Sequence, residues 1–318
     1  MSNSKIPAPM SKKLIVYTLG FVAAFFILDW AFGLTMDYLL TQSKGGDTQN
    51  LYHINNECSE SILIFGSSRA NHHYVSSDLQ DSLGMTVYNC GIDGNGIVLA
   101  YCFLNNILES GYKPEVIVYD FFPDFDLKDN KDLTHGIARL RPYKKAAAVK
   151  DLIARIDKTE LLKLKLSSYR YNSVFTQVIG DVIKPQQTVE NGYKPIYDSM
   201  TQDFAKDSQT PYQIDSIKVK CLRDFVRLCD ENNIRLVFTV SPNYEESLHN
   251  IDYGSLLSGI LGNSAFDFID IRNVRKFIGK KSFFSDPIHM NDKGAIAYSA
   301  LLADSLKARG IFKRKSLN

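Results

Sequence analysis

The sequence predicts an α/β protein: a parallel sheet of about five strands with helices on both faces, carried behind one N-terminal transmembrane helix. Three observations predict it. Short apolar runs recur along the chain, two of them closed by glycine. Stretches with helical spacing separate them. An uncharged run rich in Leu, Val and Phe precedes them all.

The runs at 62–65 (ILIF) and 86–90 (TVYNC) end at Gly66 and Gly91, as buried parallel strands entering tight turns do. The run at 116–122 (VIVYDFF) follows Pro114, and 234–240 (IRLVFTV) and 266–271 (FDFIDI) complete the set. Helical spacing appears at 98–108, at 214–229 and at 291–307. In the second, the apolar residues Ile214, Ile217, Cys221, Leu222, Phe225, Leu228 and Cys229 share one face. Residues 124–210 break the rhythm with RLRPYKK, SSYRYNS and a helix-like 146–166. They read as an insertion between strands three and four that caps the site or leans on the membrane.

The run LIVYTLGFVAAFFIL at 14–28 has 15 uncharged residues, short for a span of roughly 20. Extended to Met36 it suffices, with Asp29 and Trp30 near the outer interface. Lys5, Lys12 and Lys13 precede it with no acid among them. The positive-inside rule then places a 1–13 tail in the cytoplasm and everything after about residue 37 in the periplasm. No small-x-small cleavage site follows, so the segment reads as an uncleaved anchor. Residues 37–59, with Gly45-Gly46 and several Asn, read as a linker. The strand–helix alternation fills one domain from 60 to 310, and 311–318 is a basic tail.

Composition narrows the classes. The chain is 45% hydrophobic and 23% charged, which suits a folded domain. A net charge of +2 leaves no basic excess to neutralise phosphates, so nucleic acid is not an expected partner. Five irregularly spaced cysteines without a C-x-x-C pair suggest neither a disulfide framework nor zinc, and no cofactor or metal is expected.

Three motifs fall at strand ends, where ligands of open parallel sheets gather. Gly66-Ser67-Ser68-Arg69 puts a serine at a helix start, where backbone amides and the helix dipole favour a nearby oxyanion. The stretch from Asn89 to Gly96 is glycine-rich, but its G-x-x-G-x-G spacing is not the dinucleotide pattern, and Gly91 offers an oxyanion N–H. Asp286-Pro-Ile-His289 sets a carboxylate three residues before an imidazole, the orienter and base of a triad. Each motif alone also fits a cap or a turn.

Together they resemble the SGNH/GDSL hydrolase superfamily, and with the membrane anchor and the large insertion the G-S-S block resembles its membrane-anchored cell-envelope branch. Its G-D-S block matches Gly66-Ser67-Ser68, its oxyanion glycine Gly91, and its D-x-x-H block Asp286 and His289. The resemblance implies a flavodoxin-like three-layer α/β/α sandwich and a catalytic set of Ser68, His289 and Asp286. It also implies acyl-ester chemistry on a cell-surface glycan, either esterase or acyltransferase, with a membrane-bound O-acyltransferase as a candidate partner. The third family block, G-x-N-D, has no match: its place falls near Asp124, and Asn95 and Asn243 are the candidate substitute donors. A catalytically inactive binding or assembly subunit of the same fold is therefore the second reading. Of the remaining candidates, His72-His73 are not expected to share a metal. Asp124, Asp126, Asp129 and Asp132 read as a solvated loop, and Arg139, Arg141, Lys144 and Lys145 as a solvated basic face.

Overall fold

The structure, a computed structural model, describes residues 11–129, 133–143, 147–184, 190–201, 213–245 and 252–312. Most of the expected cytoplasmic tail, Asp132, Lys144, Lys145 and the basic tail from 313 lie outside the described residues. The chain opens with α1 (Lys12–Gln42) and α2 (Gly46–Asn56). It continues through β1 (Ile62–Phe65), α3 (Ser68–His73), α4 (Ser76–Leu83), β2 (Val87–Asn89), α5 (Ile97–Glu109) and β3 (Val116–Asp120). The insertion holds α6 (Pro123–Asp126), α7 (Leu133–Leu140), α8 (Ala147–Ile156), α9 (Lys158–Lys163), α10 (Ser167–Tyr171) and α11 (Phe175–Ile183). Then come α12 (Ser216–Glu231), β4 (Arg235–Val240), α13 (Tyr253–Leu261), β5 (Asp267–Asp270) and α14 (Asp292–Ala308).

The five strands form one parallel sheet in the order β2-β1-β3-β4-β5. Register runs from Asn89 to Ile64, Val118, Val237 and Asp267. Strand alternation divides the core in two. Leu63, Phe65, Ile117, Tyr119, Leu236 and Phe238 pack with α5 and α12 through Phe103 and Phe225. Ile62, Ile64, Val116, Val118, Val237 and Ile269 pack on the other face with Leu79 of α4 and Tyr298 and Leu302 of α14. The strand order reverses between β1 and β3, so the crevice of such a sheet opens beyond their C-terminal ends.

The α/β sheet and the apolar N-terminal helix expected from the sequence are both present. Helix α1 is long and apolar enough to cross a membrane: its most apolar window has mean hydropathy 2.0, none of it buried. It also runs past residue 36, and the stretch read as a linker is mostly helical. Leu51 and Ile54 of α2 are buried in the main core, so tertiary packing makes a helix of a segment whose own composition is polar. The insertion bridges the end of α1 and the sheet: α8 lies on α5, while α10 and α11 lie on α1.

Asp126 corrects the reading of a solvated acidic loop. It is buried and accepts hydrogen bonds from Tyr119 Oη (2.6 Å) and from the amides of Ile97 (2.9 Å) and Phe122 (2.8 Å). Ile97 begins α5 and Gly96 before it has no side chain to cap with, so this carboxylate serves as a remote cap. A Cβ at Gly96 would stand 2.5 Å from Asp126 Oδ1, which explains the glycine. Asp126→Ala is expected to lower stability by roughly 2–4 kcal/mol, read as a lower urea midpoint at unchanged slope.

Candidate active site

Ser68 is the first residue of α3, directly beyond β1. Its N–H is therefore among the amides that a helix leaves without an intrahelical acceptor. The turn before it requires Gly66, which adopts φ +147°. A Cβ there would lie 2.8 Å from Ala70 Cβ and 3.0 Å from the Asp120 carbonyl oxygen. Ser68 Oγ is 2.7 Å from His289 Nε2, and His289 Nδ1 is 2.7 Å from Asp286 Oδ2. Asp286 Oδ1 also accepts the amides of Ile288 and His289, both at 2.9 Å, which folds the D-x-x-H turn onto itself.

Burial alone would raise the Asp286 pKa, but the His289 ring and these amides outweigh it and hold the carboxyl below its usual 3.8. A depressed carboxyl contributes stability above its unfolded pKa and loses it as pH falls through the folded one. The Asp286 contribution therefore fades only below pH 3.8. With Nδ1–H held by this carboxylate, the Nε2 lone pair faces the serine hydroxyl. That arrangement can remove the Ser68 proton as Oγ adds to a carbonyl.

The structure thus brings Ser68, His289 and Asp286 together. The expected oxyanion donors are placed differently. The Gly91 amide donates to Asn89 Oδ1 at 2.9 Å. The glycine is needed because a Cβ would lie 2.4 Å from the Asn71 amide nitrogen and 2.8 Å from the Ala70 carbonyl carbon, both backbone atoms of α3. Gly91→Ala is expected to cost about 1–3 kcal/mol through overpacking. It should also slow any reaction of Ser68 beyond its effect on folding, as measured on the folded fraction. Asn95 donates to the Asp93 carbonyl at 2.9 Å. Asn243 accepts Arg69 Nη1 at 2.5 Å through Oδ1, which leaves its amide nitrogen as a donor. Asp124 is exposed on α6.

A buried network beneath the triad escaped the sequence reading. Arg69 is 1% exposed; its Nε reaches Asp120 Oδ2 and Ser241 Oγ, both at 3.2 Å, and its Nη2 donates to the Ser241 carbonyl. The other oxygen of Asp120 accepts Tyr74 Oη (2.6 Å) and the Ser241 amide (3.0 Å). His73 accepts the Met290 amide at Nε2 (2.9 Å), so Nδ1 carries the proton to Ser241 Oγ (2.8 Å). Burial, then the nearby Arg69 charge, pushes the His73 pKa well below 6.5 and keeps the ring neutral. His73 therefore ties the residue after the triad histidine to the end of β4. A lone carboxylate ending the apolar VIVYD run, and an arginine directly after the serine, were the available signals.

His72 lies one helical turn from Ser68, with its ring edge-on to His289 at 5.7 Å between centroids. It donates from Nδ1 to the Lys194 carbonyl at 2.7 Å and faces Asp93 with Nε2 at 3.1 Å. Burial would raise the Asp93 pKa, but His72, Asn71 and Lys194 hold it well below the usual carboxylate range. Asp93 and Asp47 of α2 share Lys194, at 3.3 and 3.5 Å, so α2 reaches the rim of the site.

Among the described residues, His53, Cys58 and Glu60 form the one group with metal-ligand atoms within 4.8 Å of one another. They precede β1, at the opposite end of the sheet from the triad. Their polar atoms pair among themselves: His53 Nε2 with Glu60 Oε1 at 2.9 Å and Cys58 Sγ with Glu60 Oε2 at 3.5 Å. No protein-family model matches the sequence, and no curated protein matches it.

Proposed function

We propose that the chain is a membrane-anchored serine esterase or acyltransferase of the SGNH/GDSL kind, acting on acyl esters of cell-envelope glycans. The observation that carries the reading is the relay from Ser68 Oγ through His289 to Asp286, with 2.7 Å at each junction. Ser68 Oγ adds to the acyl carbonyl as His289 Nε2 takes its proton. The tetrahedral oxyanion is met by the Ser68 amide and by the side-chain amide of Asn243, whose Oδ1 is held by Arg69. His289 then protonates the departing sugar oxygen, leaving an acyl-serine. In the second half His289 deprotonates the acceptor: water gives a carboxylic acid, and another hydroxyl gives a new ester. Lys12 and Lys13 before the apolar run favour an extracytoplasmic, periplasmic placement of this chemistry. A membrane-bound O-acyltransferase is the partner that such a placement suits.

The second reading is a non-catalytic binding or assembly subunit for envelope polysaccharide. What favours it is the Gly91 amide, engaged by Asn89, together with the acid near the family asparagine position. A fluorophosphonate probe separates the two. Labelling of the folded wild type that is lost in Ser68→Ala supports the enzyme. Absence of labelling with folding intact overturns it.

A further inference from the structure

The uncharged run of α1 from Leu14 to Leu28 rises about 22 Å at 1.5 Å per residue. A bilayer's hydrocarbon layer is about 30 Å thick. Lys12 and Lys13 mark one boundary, so the other falls roughly five residues beyond Leu28, at Asp29 to Gly33. Any tilt of α1 moves it further along the chain.

That stretch of α1 is where the insertion docks. Asp29 accepts the amides of Ser167 and Ser168, each at 2.8 Å. Gly33 admits the approach, since a Cβ there would lie 2.3 Å from Ser167 Oγ. The carboxylate that would burden the end of a span is thus matched by two backbone donors from the protein's own α10. The turn leading into α10 reads Leu161-Leu162-Lys163-Leu164-Lys165-Leu166, and tight bonds from Lys165 to Leu162 and from Leu166 to Lys163 close it. Leu162 is 66% exposed, and Lys163 and Lys165 are exposed beside it. Trp30 on α1, at the level of Asp29, is 64% exposed, as an interfacial anchor would be.

We propose that the α9–α10 turn is a membrane-dipping element, seated at the headgroup boundary of the bilayer that α1 spans. Leu162 enters the acyl edge, and Lys165 meets anionic headgroups beside Lys163, whose ammonium pairs with Glu160 at 2.8 Å. The occupant is the bilayer because the docking level is set by the length of the anchor and continues its exposed apolar surface. The proposal concerns depth and does not depend on the triad chemistry.

The test uses the full chain in phosphatidylcholine–phosphatidylglycerol vesicles. Single Leu162→Cys, Lys165→Cys and Ile183→Cys variants carry an environment-sensitive fluorophore, and the five native cysteines are buried and stay unlabelled. Ile183 is the control: it is 78% exposed but lies at the far end of α11, where Asp181 bonds Thr48 of α2 beyond the end of α1. The expected result is blue-shifted emission and quenching by spin-labelled lipid at positions 162 and 165, with neither at 183. Probes at 162 and 165 that report water, as at 183, would overturn the proposal. That outcome would leave the face to a protein partner, since the vesicles contain none.

Discussion

His289→Ala should slow the proposed ester turnover by roughly 10⁴-fold or more, and Ser68→Ala added to it should cost little further. The non-additivity is the informative part. A hydroxyl 2.7 Å from an imidazole nitrogen becomes a nucleophile only while that imidazole accepts its proton, so either loss removes the same step. Asp286→Asn should give a smaller loss of about 10²–10⁴-fold, because its carboxylate orients the ring and favours the imidazolium without touching the substrate. Rates of the single and double variants, measured on protein of equal folded fraction, check this. Losses that multiply would mean that the three residues do not act as one unit.

Arg69→Met should destabilise the domain by about 3–5 kcal/mol, the cost of leaving a buried charge without its partner. Asp120 is fully buried, and Arg69 is its cation at 3.2 Å. Asp120→Asn in the Arg69→Met background should recover part of that loss, since the unpaired charge is then gone. Urea unfolding of both variants reads the difference. Arg69→Lys tests the geometry: a single ammonium cannot meet Asp120, Ser241 and Asn243 together, so the variant should fall between wild type and Arg69→Met. A loss confined to activity, with stability unchanged, would place Arg69 in binding instead of in the scaffold.

The strands and the Asp286–His289 turn were legible because both are local signals. A buried parallel strand is a short apolar run, and the observed β1 matches 62–65 while the others are one or two residues shorter than their runs. The D-x-x-H spacing carries its own geometry, since three residues suffice for Asp286 to reach both the ring and the amides of the turn. What was not legible depends on distant partners. Asp126 looked like one acid in an acidic loop; only the fold brings it to the start of α5. Helix α2 has too few apolar residues to announce itself and is helical because Leu51 and Ile54 find the core. The expected donor role of Gly91 rested on the motif. Its amide instead meets Asn89, and its lack of a side chain serves the contact with α3.

The sheet order also dictates a sequence of events in time. β3 and β4 are neighbours, yet the chain runs from Asp120 to Arg235 between them, through the whole insertion. Closing so long a connection adds little to the equilibrium cost, about 0.6 kcal/mol for each doubling of length. Its effect is on rate, because parallel pairing across such a distance is slow. The β2-β1-β3 half, with Ser68, comes from contiguous chain and can form while residues beyond 120 are still being made. The α12 covering of Phe65 and Tyr119 comes from beyond the insertion, and the His289 turn lies later still, after β4 and β5. The Ser68 hydroxyl is therefore made early and the imidazole that faces it late. Until then each face of the half-sheet is only partly covered, by α5 on one side and α4 on the other, and the exposed β3 edge and apolar surface favour aggregation.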